Sequence, residues 1–176
     1  MILYSQIFML FSPLFLNSQE NSASALKAGV VYRLSVLSNI NWTDTGFDVW
    51  EGQEIVFKAS GGITLQKGNP MAYCNPEGYP MKTVQQPLKD RNIGALIGKI
   101  VKLISIEIDE ETGEEIRNEQ EELFFIGLEQ TVEMPLSGRL FLGINEVVVG
   151  DNAGEFKVGL YLAEEGREEP LSDKLY

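Results

Sequence analysis

The sequence predicts an all-β protein, most simply a jelly-roll β-sandwich with a protruding acidic hairpin, and three observations lead there. Apolar residues recur at a period of two in several short runs, and Gly, Pro and Asn separate those runs at short intervals. Outside the amino-terminal segment, no window shows the sustained 3.6-residue apolar stripe of an amphipathic helix. A chain of 176 residues, 44% apolar and carrying nine Phe, six Tyr and two Trp, suits one domain built on one core.

Met1 to Leu16 is hydrophobic, with Ile7 to Phe11 followed by Leu14, Phe15 and Leu16, and is too short to span a bilayer comfortably. Polar residues Asn17 to Ser22 come next, then Ala23, Ser24 and Ala25 in the small-x-small pattern that signal peptidases accept. Residues 1–25 therefore read as a secretory signal, although the usual Lys or Arg before the apolar run is absent. That reading makes 26–162 the folded domain of a secreted or envelope protein, with 163–176 an acidic tail that frays.

Strand signals follow in order. Val30 to Leu37 is rich in β-branched and aromatic residues, and Glu54 to Ser60 alternates Ile55, Phe57 and Ala59 with Glu54, Val56 and Lys58. Ile93 to Ile100 and Val101 to Ile108 are successive apolar runs, and Leu123 to Ile126 and Thr131 to Met134 are shorter ones. Leu140, Leu142 and Ile144, then Phe156, Val158 and Leu160, each define one buried strand face. Trp42 and Trp50, beside the first strands, are expected in the core.

Charge is unevenly placed. The total is −12, but Glu107 to Glu122 hold nine acids against Arg117, net −8, and the last fourteen residues hold five against Arg167 and Lys174, net −3. The remaining body is nearly neutral, which argues against DNA or another polyanion as partner. Ile104, Ile106 and Ile108 alternate with Ser105, Glu107 and Asp109, and Glu111-Thr112-Gly113-Glu114 is a turn signal, so the acids mark a solvated hairpin tip.

Catalytic signatures are scarce. The chain has no His, which removes Ser-His-Asp triads, Cys-His nucleophiles and His-based zinc sites. It has no Gly-x-Ser-x-Gly elbow and no phosphate loop. Two carboxylates suffice for a glycosidase, but no pair stands out as one, and the expectation is a non-enzyme. The single Cys74 excludes an internal disulfide and reads as a structural thiol.

The richest segment is Gly138 to Val158, where two strands flank a loop carrying the side-chain oxygens of Asn145, Glu146, Asp151 and Asn152. Calcium takes six to eight oxygen ligands from carboxylates, amides and backbone carbonyls, which this loop can offer. An ordinary hairpin loop has the same composition.

An ordered series of motifs bears on that choice. Trp42-Thr43-Asp44-Thr45-Gly46-Phe47-Asp48-Val49 comes first, then Glu51-Gly52-Gln53 leading into Ile55 to Gly61, then Pro76-Glu77-Gly78, then Gly94-Ala95-Leu96-Ile97-Gly98-Lys99-Ile100. Gly138 to Asn145 and Asp151-Asn152-Ala153-Gly154-Glu155-Phe156 complete it. In this order the chain, from Ala28 to Leu162, resembles a divergent member of the LecA-type galactophilic lectin family. The resemblance implies a sandwich that binds one calcium ion in loops at one end, the ion coordinating two sugar hydroxyls. Carried over, the metal ligands are Glu146, Asp151 and Asn152 with the carbonyls of Val148 and Leu65. Asn145, Gln85 and Gln86 fall where the family contacts sugar, and Tyr73 and Tyr79 are candidate stacking platforms on the adjoining loop. Glu146 stands where the family has Asp, the loop after it is a residue shorter, and the family's sugar-contacting His is missing, so galactose specificity does not carry over. The expected function is calcium-assisted carbohydrate binding, with a homo-oligomer among the expected assemblies. The alternative is a structural or adhesion module that has lost the sugar site, and an unrecognised carbohydrate enzyme ranks last.

Overall fold

The computed structural model describes residues 24–163, so the leader up to Ala23 and the acidic segment from Glu164 lie outside the described residues. The strands are β1 (Ser24–Ala25), β2 (Tyr32–Leu37), β3 (Trp42–Val49), β4 (Glu54–Thr64), β5 (Tyr73–Cys74), β6 (Leu96–Ile108), β7 (Glu115–Phe125), β8 (Glu129–Glu133), β9 (Gly138–Ile144) and β10 (Ala153–Leu162). They form two sheets, one in the order β1-β3-β9-β6-β7 and the other β2-β10-β4-β5, with β8 also paired to β4. Chain neighbours β2 and β3 lie in different sheets, as do β9 and β10, which is how a jelly-roll sandwich is wound. Ser24 and Ala25, the residues before the expected cleavage point, pair in parallel with Phe47 and Asp48.

Period-two patterning decides what faces inward. In β10, Phe156, Val158 and Leu160 are buried, and they meet Phe57 and Ile63 of β4, Leu140 and Leu142 of β9 and Ile100 of β6 in one core. Each such side chain contributes about 1.5–3 kcal/mol on leaving water. In β3 the inner positions are Thr45, Phe47 and Val49, which leaves Trp42 on the outer face. The expectation that both Trp residues are core is overturned: Trp50 is 50% exposed in the turn after β3, and Lys99 Nζ lies 4.8 Å from the ring centre of Trp42. β3 carries a register shift between Asp44 and Asp48.

The runs from Ile93 to Ile108 form one strand, not two. Gly98 sits near the start of β6 because the Phe124 ring of β7 occupies the space a side chain would need. Gly98→Ala is expected to cost about 2 kcal/mol through overpacking; an unchanged urea midpoint would show that Phe124 swings aside freely.

β9 pairs with β6 only from Leu96 to Val101, whereas β6 and β7 stay paired out to Ile108 and Glu115. The last part of this ribbon therefore projects beyond the sandwich, as the sequence predicts. Its turn is held by Asp109, whose Oδ1 accepts from Glu111 N at 2.8 Å and Thr112 N at 2.9 Å.

Candidate functional site

Three loops meet at one end of the sandwich: Asn145–Asn152 between β9 and β10, Leu65–Asn69 after β4, and the long connection from Asn75 to Ala95 between β5 and β6. Backbone bonds lock them together, with Lys67 N donating to Asp151 O at 2.7 Å, Gly94 N to Asn145 O at 3.2 Å and Asn145 N to Ala95 O at 2.8 Å. Loops without regular structure keep a fixed shape only when their polar backbone finds partners in this way.

Asn145 braces the long connection from the neighbouring β9–β10 loop. It is fully buried, its Nδ2 donates to Leu88 O at 3.0 Å and Asn92 O at 2.9 Å, and its Oδ1 accepts from Leu88 N at 2.8 Å. Gln86 does the same within the long connection, accepting from Thr83 N at 3.0 Å and donating to Leu88 O at 2.8 Å and to Arg91 O. Both amides hold the loop that forms one wall of the site.

That wall faces Glu146. A cavity of about 200 Å³ is lined by Gln85, Gln86, Glu146 and Val148 together with Thr83, Ile93 and Val147. Four residues singled out from sequence are thus brought together. Glu146 Oε2 accepts from Asn152 Nδ2 at 2.6 Å, and the same amide nitrogen donates to Ser38 O at 3.2 Å. Asn152 is 5% exposed, and its Oδ1 is buried with no hydrogen-bond partner among the described residues. Such an acceptor is costly, of order 1–3 kcal/mol, unless something else satisfies it.

The electrostatics point the same way. Burial pushes the Glu146 carboxyl above its ordinary range, the Asn152 amide pulls it back, and the charge of Asp151 adds to the rise. Among the described residues no Lys or Arg lies within ion-pair distance of Glu146. Cys74 is buried nearby, and burial with the charge of Glu146 pushes its thiol up to about 11. It is a thiol at neutral pH, so aromatic disulfide reagents are expected to react with it only after denaturation; fast labelling of the native protein would contradict this burial.

The remaining predicted residues are placed as follows. Asp151 is exposed and contributes its carbonyl to Lys67, while Leu65 packs partly on the core and donates its N–H to Ala72 O at 3.0 Å. Tyr79 is half-buried against the core and its backbone bridges to Ile93. Tyr73 is 59% exposed on the outer side of β5 and does not line the Glu146 cavity. Sequence reasoning missed Ser38, whose carbonyl joins the Asn152 amide and whose Oγ donates to Gly154 O at 3.0 Å. No signal marks it, because it lies in the β2–β3 turn more than a hundred residues away.

The oxygen set of Glu146, Asp151 and Asn152 with nearby carbonyls fits a hard cation, and the orphaned Asn152 oxygen is what tests that fit. No group of three or more His, Cys, Asp or Glu gathers among the described residues. A larger hollow of about 600 Å³ lies on the outer face of the second sheet, but two of its cations are engaged, Lys58 with Glu129 at 2.9 Å and Lys157 with Glu155 at 2.6 Å. No helix among the described residues is long and apolar enough to cross a membrane.

No family model matches the chain, and no curated protein matches it. Among solved structures, a chain described as "EclA N-terminal domain; PllA-like lectin" superposes with a TM-score of 0.51 at 22% identity, over 75% of this chain and 96% of its own length. The protein is therefore similar in fold to that lectin domain, a β-sandwich laid out over nearly the neighbour's whole length.

Proposed function

We propose that this chain is a non-catalytic carbohydrate-binding module that uses calcium at the loop end, as the resemblance to LecA-type lectins implies. The observation that carries it is the unpartnered Asn152 Oδ1 beside a desolvated Glu146 carboxylate with no Lys or Arg of the described residues in ion-pair distance. Glu146, Asp151 and Asn152 would hold the ion with the carbonyls of Val148 and Leu65. When bound, calcium supplies exchangeable coordination positions that vicinal sugar hydroxyls can fill. The cavity wall of Gln85 and Thr83 then meets the sugar beside the ion. The lectin-like fold neighbour supports the ligand class.

Melting curves in calcium and in chelator test the metal, since an ion held only by the native state raises the midpoint. Identical midpoints at saturating calcium would remove it. On a glycan array, calcium-dependent signal is expected to vanish in Asp151→Ala with the fold intact. The signal expected over residues 1–25 would place this action outside the cytoplasm, and the amino-terminal residue of secreted material would show whether cleavage follows Ala25. One observation favours the structural-module alternative: the amides of Asn145 and Gln86, two expected sugar contacts, are engaged inside the protein.

A further inference from the structure

A second surface at the same end has a different character. Tyr73, on β5, pairs with Thr64 of β4, and the hydroxyl end of its ring occupies the place where Gly62 lacks a side chain. The ring is thereby pressed against the outer face of the sheet, yet 59% of the residue stays exposed. It walls a hollow of about 500 Å³ with Thr64, Gly68, Asn69 and Pro70.

The frame around the ring is rigid. Asn69 caps the 3₁₀ turn Pro70–Ala72 by accepting from Met71 N at 3.0 Å and donating to Gln66 Oε1 at 2.9 Å. Thr64 Oγ1 lies 2.9 Å from the carbonyls of both Gln66 and Asn69. The Tyr73 hydroxyl, by contrast, has no hydrogen-bond partner among the described residues, and none of the five lining residues is charged. An immobilised aromatic face with a free phenol at its edge loses little entropy on contact, and it complements a ligand with a C–H face and a hydroxyl rim.

We infer that Tyr73 and its hollow form a second saccharide subsite, for a neutral sugar ring stacked on the aromatic face. Resting on the carbohydrate reading above, it extends the ligand from one sugar to a neutral oligosaccharide. The Leu65–Asn69 loop links the two places, since Lys67 N is bonded to Asp151 O at 2.7 Å while Gly68 and Asn69 line the hollow. No charged lining residue is present to select acidic sugars.

The test compares wild type, Tyr73→Ala, Tyr73→Trp and Asp151→Ala on a printed array of neutral and acidic mono- to hexasaccharides in calcium, each checked for an unchanged fold by melting. Tyr73→Ala is expected to weaken neutral oligosaccharides about tenfold, with monosaccharide signal unchanged and Tyr73→Trp at wild-type strength or above. Oligosaccharide binding equal in Tyr73→Ala and wild type overturns the subsite and leaves the calcium site standing. Acidic glycans that depend on Tyr73 overturn the neutral class. Wild type silent on every glycan overturns both readings.

Discussion

Asn145→Ala is expected to lower stability by about 2 kcal/mol, with the loss concentrated at the loop end. The side chain is fully buried and makes three hydrogen bonds, to both polar backbone atoms of Leu88 and to Asn92 O. Truncation orphans Leu88 N, at about 1–3 kcal/mol before relaxation, and takes one partner each from Leu88 O, which keeps Gln86 Nε2 and Arg91 N, and from Asn92 O, which keeps Ala95 N at 3.4 Å. The loss also has a place: amide exchange should accelerate from Thr83 to Asn92, the loop whose Gln86 and Gln85 face Glu146. Chemical denaturation and exchange on the same variant would check both parts. A stability change below 0.5 kcal/mol would mean that water replaces the amide without penalty.

Glu146→Gln is expected to act with opposite signs in chelator and in calcium. Burial sets the folded-state pKa of Glu146 above its unfolded value, so its contribution is fully present below the unfolded carboxylate range and is lost as pH rises through the raised value. Glutamine keeps an acceptor for the Asn152 amide without the charge. In chelator at neutral pH the variant should therefore melt at or above wild type, the difference closing as pH falls. In calcium the order reverses, because wild type gains about 2.7 kcal/mol at a hundred times its dissociation constant and the variant gains none. For the same reason calcium affinity should fall on acidification through the raised pKa, as protons compete for the carboxylate. An equal calcium shift in both proteins would take Glu146 out of the shell.

The sandwich was legible because its inner faces alternate cleanly in β4, β9 and β10, where Ile55 and Phe57, Leu140 and Leu142, and Phe156 and Val158 each repeat at two. β3 was less so, since its inner face carries the polar Thr45 beside Phe47 and Val49, and Trp42 has the parity of the outer face. At the site, local sequence revealed Glu146 and Asn152 as loop oxygens. It did not separate them from Asn145, adjacent to Glu146 and of the same type as Asn152, because the difference is purely spatial: Asn145 meets Leu88 and Asn92 across the loop, whereas Asn152 Oδ1 has no partner among the described residues. Ser38 was invisible for a related reason, acting through a backbone carbonyl that any residue would supply.

The projecting ribbon has a consequence for how the molecule opens. From Lys102 to Ile108 the strand β6 has one neighbour where the rest of it has two, and Leu103, Ile104, Ile106, Ile108 and Ile116 are all more than 40% exposed. A two-stranded ribbon with so little cover is only marginally stable. Its opening and closing are therefore decoupled from the sandwich, forming a cooperative unit of their own at low free energy. Seven repelling acids between Glu107 and Glu119 can crowd this arm without straining the core, because their repulsion is relieved by fraying the arm and not by unfolding the domain. Proteases would nick there first, and the nicked chain would still carry the loop end at which Glu146 and Tyr73 lie, with β9 and β10 in place to hold it.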